Sequence, residues 1–313
     1  MAEEENWERR VIEKLATEGL HEQQRTRRWG IFFKLLGFGF LFIALFVAIG
    51  VVNQREVTCL DKCTAMVELN GELDPEGRAS AENVISGLQA AFKSKGTQGV
   101  VLKINSPGGS PVQAGEINDE IRRLRGKYPD TPIYAVVEEV CASGAYYVAV
   151  ATDKIYVDKA SLIGSIGVVM DGFGFVGSLE KLGVERRALA AGDNKTFLDP
   201  FLPMTEEQRD YALKLLAEIH QQFITVVKAG RGSRLKDSPE LFSGLVWNGA
   251  RSVDLGLADA LGSVGYVARE VIKAEDVVDF TVQESLSERF ARKLGTTVGR
   301  SLGLTVKHGM SLR

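Results

Sequence analysis

Histidine chemistry has little to work with in this chain. His21 precedes an apolar run, His308 lies in the last ten residues, and His220 falls inside a long amphipathic stretch where a hydrogen-bonded structural role is expected. No Ser-His-Asp arrangement suggests itself, and the G-x-S-x-G elbow of α/β-hydrolases is absent. Three cysteines and three histidines cannot fill two tetrahedral zinc sites, and their spacings match no finger or knuckle. Two other segments stand out. In Ile104–Gly109 (INSPGG) an apolar strand runs into a proline and two glycines, with a helix soon after. Paired glycines let backbone N–H groups face an open space at close range, as in an oxyanion hole, although an ordinary strand-to-helix turn reads the same way. In Cys141–Tyr147 (CASGAYY) one hydroxyl, Ser143, stands among very small neighbours at the expected start of a helix. Such a serine is either an N-cap or a nucleophile beside a positive backbone end.

A serine nucleophile needs a base, and a lysine serves only when neutral. Bringing an ammonium from about 10.4 to near 7 costs roughly 4–5 kcal/mol, which burial against apolar walls can supply. Lys195 lies in AAGDNKTF (190–197), a small-residue loop followed by apolar Phe197, Leu198, Phe201 and Leu202. By itself this lysine reads equally as a surface charge.

The elements that must position these groups alternate. Strands are expected at 64–69, 99–104, 133–137, 154–157, 184–188 and 277–281. Helices are expected at 80–92, 113–125, 143–150, 205–227, 249–255 and 265–273, the fourth opened by a Thr205-x-x-Gln208 capping pattern. Short apolar strands alternating with helices imply an α/β layered fold with both sheet faces covered. No period of 20–50 residues recurs.

Upstream, residues 31–52 (IFFKLLGFGFLFIALFVAIGVV) carry eighteen uncharged residues after Lys34, the length of a transmembrane helix. Lys34 can snorkel near one end. Arg25, Arg27 and Arg28 just before the run place the N-terminus in the cytoplasm and the residues after the span outside it, as in a single-pass membrane protein. A cleaved signal peptide, with Ala48 and Gly50 as the small-x-small site, is the competing reading. Beyond the membrane, Cys59 and Cys63 are either bridged or two free thiols. The organisation is therefore a polar cytoplasmic arm (1–30), a transmembrane helix (31–52), an extracytoplasmic domain (53–282) and a tail (283–313). The tail carries six Lys/Arg against two Glu, with apolar positions Leu286, Phe290, Leu294, Val298 and Leu302, and reads as a basic amphipathic helix or a flexible end.

Composition excludes other classes. With 45% hydrophobic and 25% charged residues in 313, a sizeable core is required, and 33 glycines without a G-X-Y period are not collagen. Thirty-eight basic against 41 acidic residues, net −3, give no field for a nucleic acid.

In order along the chain, SPGG, ASGAYY, IGSIG, GDNK and NGARSVDLGLADALG resemble the S49 peptidase family, the signal peptide peptidase A group, in its short single-domain form. The resemblance covers nearly the whole extramembrane chain. It implies a ClpP/crotonase-like fold and a serine protease using a Ser-Lys dyad without a cofactor. Position by position, Ser143 matches the nucleophile, Lys195 the general base, and Ser165 the hydroxyl that orients the lysine. Gly108 and Gly109 match the oxyanion turn, with the Gly144 N–H as second donor. Ala145 stands where the family often has a second glycine. The resemblance also implies a homo-oligomer in which the base can reach a neighbour's serine, with cleaved signal peptides and other hydrophobic peptides as substrates beside the lipid bilayer. Two alternatives stay open: a crotonase-type acyl-CoA enzyme, which would need Asp or Glu acid-base groups, and a non-catalytic scaffold in membrane-protein quality control, in which Ser143 caps a helix and Lys195 is a surface charge.

Overall fold

The computed structural model describes Trp7, Lys14 and residues 23–45, 58–282 and 311–312. The part of the N-terminal arm before Gln23 and the tail from 283 to 310 lie outside the described residues, Trp7 and Lys14 excepted. Two units are distinguished: one contains residues 1–56 and 284–305, the other residues 57–283 and 306–313.

Helix α1 (Gln23–Leu45) belongs to the first unit. It starts eight residues before the apolar run because Gln23 to Gly30 continue the same helix. At 1.5 Å per residue it is about 35 Å long, against a hydrocarbon core of roughly 30 Å. Its mean hydropathy is 1.6, and it is long and apolar enough to cross a membrane. Residues 46–52 of the expected span lie outside the described residues.

The second unit opens with a Cys59–Cys63 disulfide, which answers the question the spacing left open. Strand β1 (Cys63–Asn70), helix α2 (Ala81–Lys93), strand β2 (Thr97–Ser106), helix α3 (Pro111–Lys127) and strand β3 (Ile133–Ala142) form a βαβαβ run, all three strands parallel. Ser80 and Ser110 cap α2 and α3 by accepting from the N–H three residues on. Alternation along each strand explains the layers. Val67, Leu69, Leu102, Ile104, Ala135 and Val137 face α2 and α3. Val101 and Val136 join Tyr156 and Val267 on the opposite face.

Strand β3 then forks. Its first half pairs with β4 (Lys154–Val157), and its last three residues pair with β5 (Leu162–Gly164), with helix α4 (Gly144–Ala149) between them in sequence. After β6 (Met170–Asp171) and α5 (Val176–Lys181) comes the long helix α6 (Glu206–Arg231), whose Thr205 hydroxyl accepts from the Gln208 N–H as the capping pattern requires. Strand β7 (Val246–Asn248) pairs antiparallel with β5. Helix α7 (Gly249–Asp254) leads to β8 (Ala260–Leu261), which pairs with β4. Helix α8 (Val264–Tyr266) continues as a π-turn to Ile272, and β9 (Val277–Asp279) pairs with β1. The eight-stranded sheet runs β7-β5-β3-β2-β1-β9, with β4 and β8 branching from β3. Residues 311–312 form β10, antiparallel to β6.

The α/β layered architecture is as expected, with one element corrected: residues 184–188 form no strand. Between Val184 and Ala188 the three charged residues have no ladder to join. Arg187 instead pairs with Glu185 and Arg186 with Asp199, all near the surface. Strands β5, β7 and β8 escape pattern reading because each is only two or three residues long.

A buried ion pair ties α6 to the branch strands. Arg231 is 1% exposed and donates to the Gly256 carbonyl (2.8 Å) and to Asp259 (2.8 Å), which also accepts from the Ile155 N–H. Burial alone would raise the Asp259 carboxyl; hydrogen bonds from Arg231 and Ile155, with the Arg231 and Arg234 charges, outweigh it and hold it below the usual carboxylate range. A depressed folded value contributes stability above the unfolded pKa that is lost as pH falls through the folded one. Asp259→Ala leaves a buried guanidinium without a counter-charge. It is expected to cost about 3–5 kcal/mol, read as a lower urea midpoint at neutral pH. A midpoint within error of wild type would show the pair to be dispensable.

Candidate active site

Register explains how distant motifs meet. Ser106 of β2 pairs with Cys141 of β3, and Ala142 of β3 pairs with Gly164 of β5. The residues that follow these pairs, Pro107-Gly108-Gly109, Ser143 and Ser165, therefore emerge together from the carboxyl ends of three adjacent parallel strands. That edge of an open α/β sheet is where ligands bind.

Ser143 has φ 52° and ψ −125°. Positive φ is uncommon for a residue with a Cβ and costs of order 1–3 kcal/mol, so surrounding contacts must enforce it. They do: its N–H donates to the Gly164 carbonyl (2.9 Å), and its carbonyl accepts from Tyr146 (2.9 Å) and Tyr147 (3.1 Å). The hydroxyl makes no capping bond to α4, so the N-cap reading of this serine does not hold. It is free to face the cleft instead.

The SPGG turn packs directly against this elbow. Gly108 (φ 97°) has no room for a side chain: a Cβ there would lie 2.7 Å from both the Ala142 carbonyl oxygen and the Gly144 nitrogen. Gly109 (φ 140°) is equally confined, 2.4 Å from the Leu73 carbonyl oxygen. The backbone of Leu73 takes Gly108 O and Ser110 N as partners and leaves the Gly109 N–H unused. The Gly144 N–H, first in its helix, likewise has no acceptor among the described residues. A Cβ on Gly144 would sit 3.5 Å from the Gly109 nitrogen, so the two donors are neighbours. Two unpaired N–H groups beside a hydroxyl can hold an oxyanion.

A cleft of about 390 Å³ opens here, lined by Ser143, Ser165, Gly108, Gly109 and Glu72, and closed by Val168, Val169 and Ser243–Gly244. Ser165 also has positive φ (50°), held by its N–H to the Leu245 carbonyl (2.7 Å). A second cavity of about 40 Å³ adjoins the cleft at Ser143 and Gly109 and extends against Tyr147 and Phe223. Sequence reasoning missed Glu72, Val168, Val169, Ser243 and Gly244; isolated residues on loops carry no periodic or motif signal.

Of the residues singled out by sequence, the structure brings Ser143, Ser165, Gly108, Gly109 and Gly144 together. Lys195 is not among them: it is exposed on the loop after Gly192 and lines neither cavity of the single chain. His220 is satisfied by the Ile166 carbonyl (3.1 Å), the structural role expected of it. Cys141, two residues before Ser143, is fully buried, and burial pushes its thiol up, which keeps it from acting as a thiolate. Among the described residues no cluster of metal-ligating side chains occurs.

Fold and site together define the class: a layered α/β protein presenting a serine elbow to two backbone donors at the sheet's carboxyl edge. Residues 127–278 match the model of peptidase family S49. The chain is 46% identical over 177 residues to the Na(+)/H(+) antiporter NhaA of Brucella melitensis, covering 56% of this chain and 24% of that protein. It is 29% identical over 219 residues to the chloroplastic serine protease SPPA of Arabidopsis thaliana, covering 69% of this chain and 32% of that protein. It thus spans well under two thirds of either relative. Among solved structures, a point mutant of ClpP1 from Listeria monocytogenes aligns with a TM-score of 0.40 at 14% identity, over 63% of this chain and 91% of that one.

Proposed function

We propose that the protein is a membrane-anchored serine endopeptidase that cleaves signal-peptide remnants and other hydrophobic peptides through an acyl-enzyme. The observation that carries this reading is Ser143: a hydroxyl on an enforced positive-φ elbow, uncapped, next to two N–H groups without acceptors. Ser143 Oγ attacks the scissile carbonyl carbon, and its proton passes to the neutral amine of Lys195. The oxygen that becomes negative is held by Gly109 and Gly144. Collapse expels the amine with the proton returned by the lysine. Water then attacks the ester by the same route. Ser165, at the adjacent strand end, orients the lysine.

The exposure of Lys195 in the single chain fits a base supplied across a subunit boundary. The surrounding surface supports a homo-oligomer: Phe173, Leu182, Leu189, Tyr211 and Leu213 are all exposed, Leu189 fully, a cost that a second copy would remove. Helix α1 supports anchorage, and the Cys59–Cys63 bridge supports an oxidising compartment outside the cytoplasm.

Labelling tests the reading directly. A serine-directed fluorophosphonate is expected to add once, on Ser143, as read by mass spectrometry of the peptide spanning it, with hydrolysis of an apolar reporter peptide lost in parallel. Adduct on another residue accompanying that loss, or no adduct on an enzyme that cleaves, would sink it.

A further inference from the structure

We infer that the 40 Å³ cavity beside Ser143 receives the side chain of the acyl-side residue, the one contributing the scissile carbonyl, and restricts it to about the size of valine. This rests on the serine-protease reading above and deepens it. The cavity is walled by Ala114 of α3, Tyr147 of α4, Ile219, Gln222 and Phe223 of α6, and Val168. Its mouth is formed by Ser143, Gly109 and Gly144.

Position assigns the occupant. A carbonyl carbon bonded to Ser143 Oγ, with its oxygen on the Gly109 and Gly144 N–H groups, has two further substituents: the acyl-side Cα and the leaving nitrogen. The leaving nitrogen must receive a proton from the base. Ser165, which orients that base, lines only the large cleft. The leaving side therefore faces the large cleft, and the acyl-side Cα and its Cβ fall toward the small cavity, which shares the Gly144 donor with the oxyanion.

Size and rigidity set the limit. Each water-sized atom occupies roughly 10–15 Å³ of such space, so the cavity admits about three heavy atoms. Its walls are fixed. Ala114 and Phe223 are 1% and 5% exposed, the Tyr147 and Phe223 rings lie 5.3 Å apart, and Asn118 donates to the Tyr147 carbonyl (2.6 Å), pinning α4 to α3. Gln222 bonds the Tyr147 side chain. Largely apolar walls favour alanine or valine over serine, and the small volume disfavours leucine and phenylalanine.

The test uses the full chain in detergent with peptides differing only at the acyl-side residue: Ala, Val, Leu or Phe. Wild type is expected to cleave the Ala and Val peptides best, with kcat/KM lower by about 10-fold for Leu and about 100-fold for Phe. Phe223→Ala is expected to raise the Leu and Phe peptides at least about 10-fold relative to Ala. Because Phe223 is also a core residue, Ile219→Ala, on the half-buried wall, is the paired variant and is expected to raise Leu selectively. Ala114→Val should depress the Val peptide more than the Ala peptide. Equal rates for Ala and Phe in wild type, or variants that scale every peptide alike, would overturn the pocket assignment while leaving the protease intact. Folded wild-type protein that cleaves none of the peptides would overturn the protease reading and the pocket with it.

Discussion

Ser143→Ala is expected to lower peptide hydrolysis on the order of 10⁴–10⁶-fold while leaving the thermal unfolding midpoint within a degree or two of wild type. The large kinetic effect follows from losing the oxygen proposed to form the acyl-enzyme. Substrate binding and the backbone donors remain, and they account for whatever residual rate is seen. The small structural effect follows from what the hydroxyl does not do. It caps nothing in α4, and the elbow is held by the backbone bonds of Ser143 to Gly164, Tyr146 and Tyr147, none of which uses the side chain. Alanine retains the Cβ and meets the same positive φ. A serine kept only as a helix cap would give the opposite pattern: unchanged turnover and a loss of stability near ~1 kcal/mol. The two measurements together separate a nucleophile from a structural hydroxyl.

The fold was legible where elements were long enough to show a period. Strands β1 to β4 and helices α2, α3, α4 and α6 fall close to where alternation and capping place them, Thr205 and Gln208 included. What pattern reading could not reach was the fork in β3. Leu162–Gly164 is three residues long and borrows its conformation from neighbours on both sides, β3 and β7, which are distant in the chain. That fork is what sets Ser165 beside Ser143, so the residues alone offered no reason to choose Ser165. Only the IGSIG resemblance pointed to it. Val184 shows the converse error. An apolar residue before a charged run looks like a strand start, yet a strand exists only if an edge is free to receive it. The second cavity was invisible for a related reason: its walls come from α3, α4 and α6, and Ile219, Gln222 and Phe223 read in sequence as part of an ordinary amphipathic helix.

Lys195→Ala is expected to reduce turnover roughly 10³–10⁴-fold, the scale of a lost general base, with no change in unfolding, because the side chain is exposed and carries no packing. The informative experiment is to mix it with Ser143→Ala. A base must lie within hydrogen-bond reach of the serine's proton, and Lys195 lines neither cavity of the single chain. Among the described residues of one chain nothing covers it. A second copy laid against the exposed apolar residues would both cover the amine and carry it toward that copy's Ser143. Each inactive variant then supplies what the other lacks: the Ser143→Ala chain gives the amine, the Lys195→Ala chain the hydroxyl. Random one-to-one assembly of symmetric rings, each site taking its base from one fixed neighbour, should restore about a quarter of wild-type activity. Co-purified mixed oligomers that stay as inactive as their parents would place the base in the same chain as its serine and require the loop bearing Lys195 to close over its own cleft. Near-normal turnover by Lys195→Ala alone would remove the lysine from the chemistry altogether.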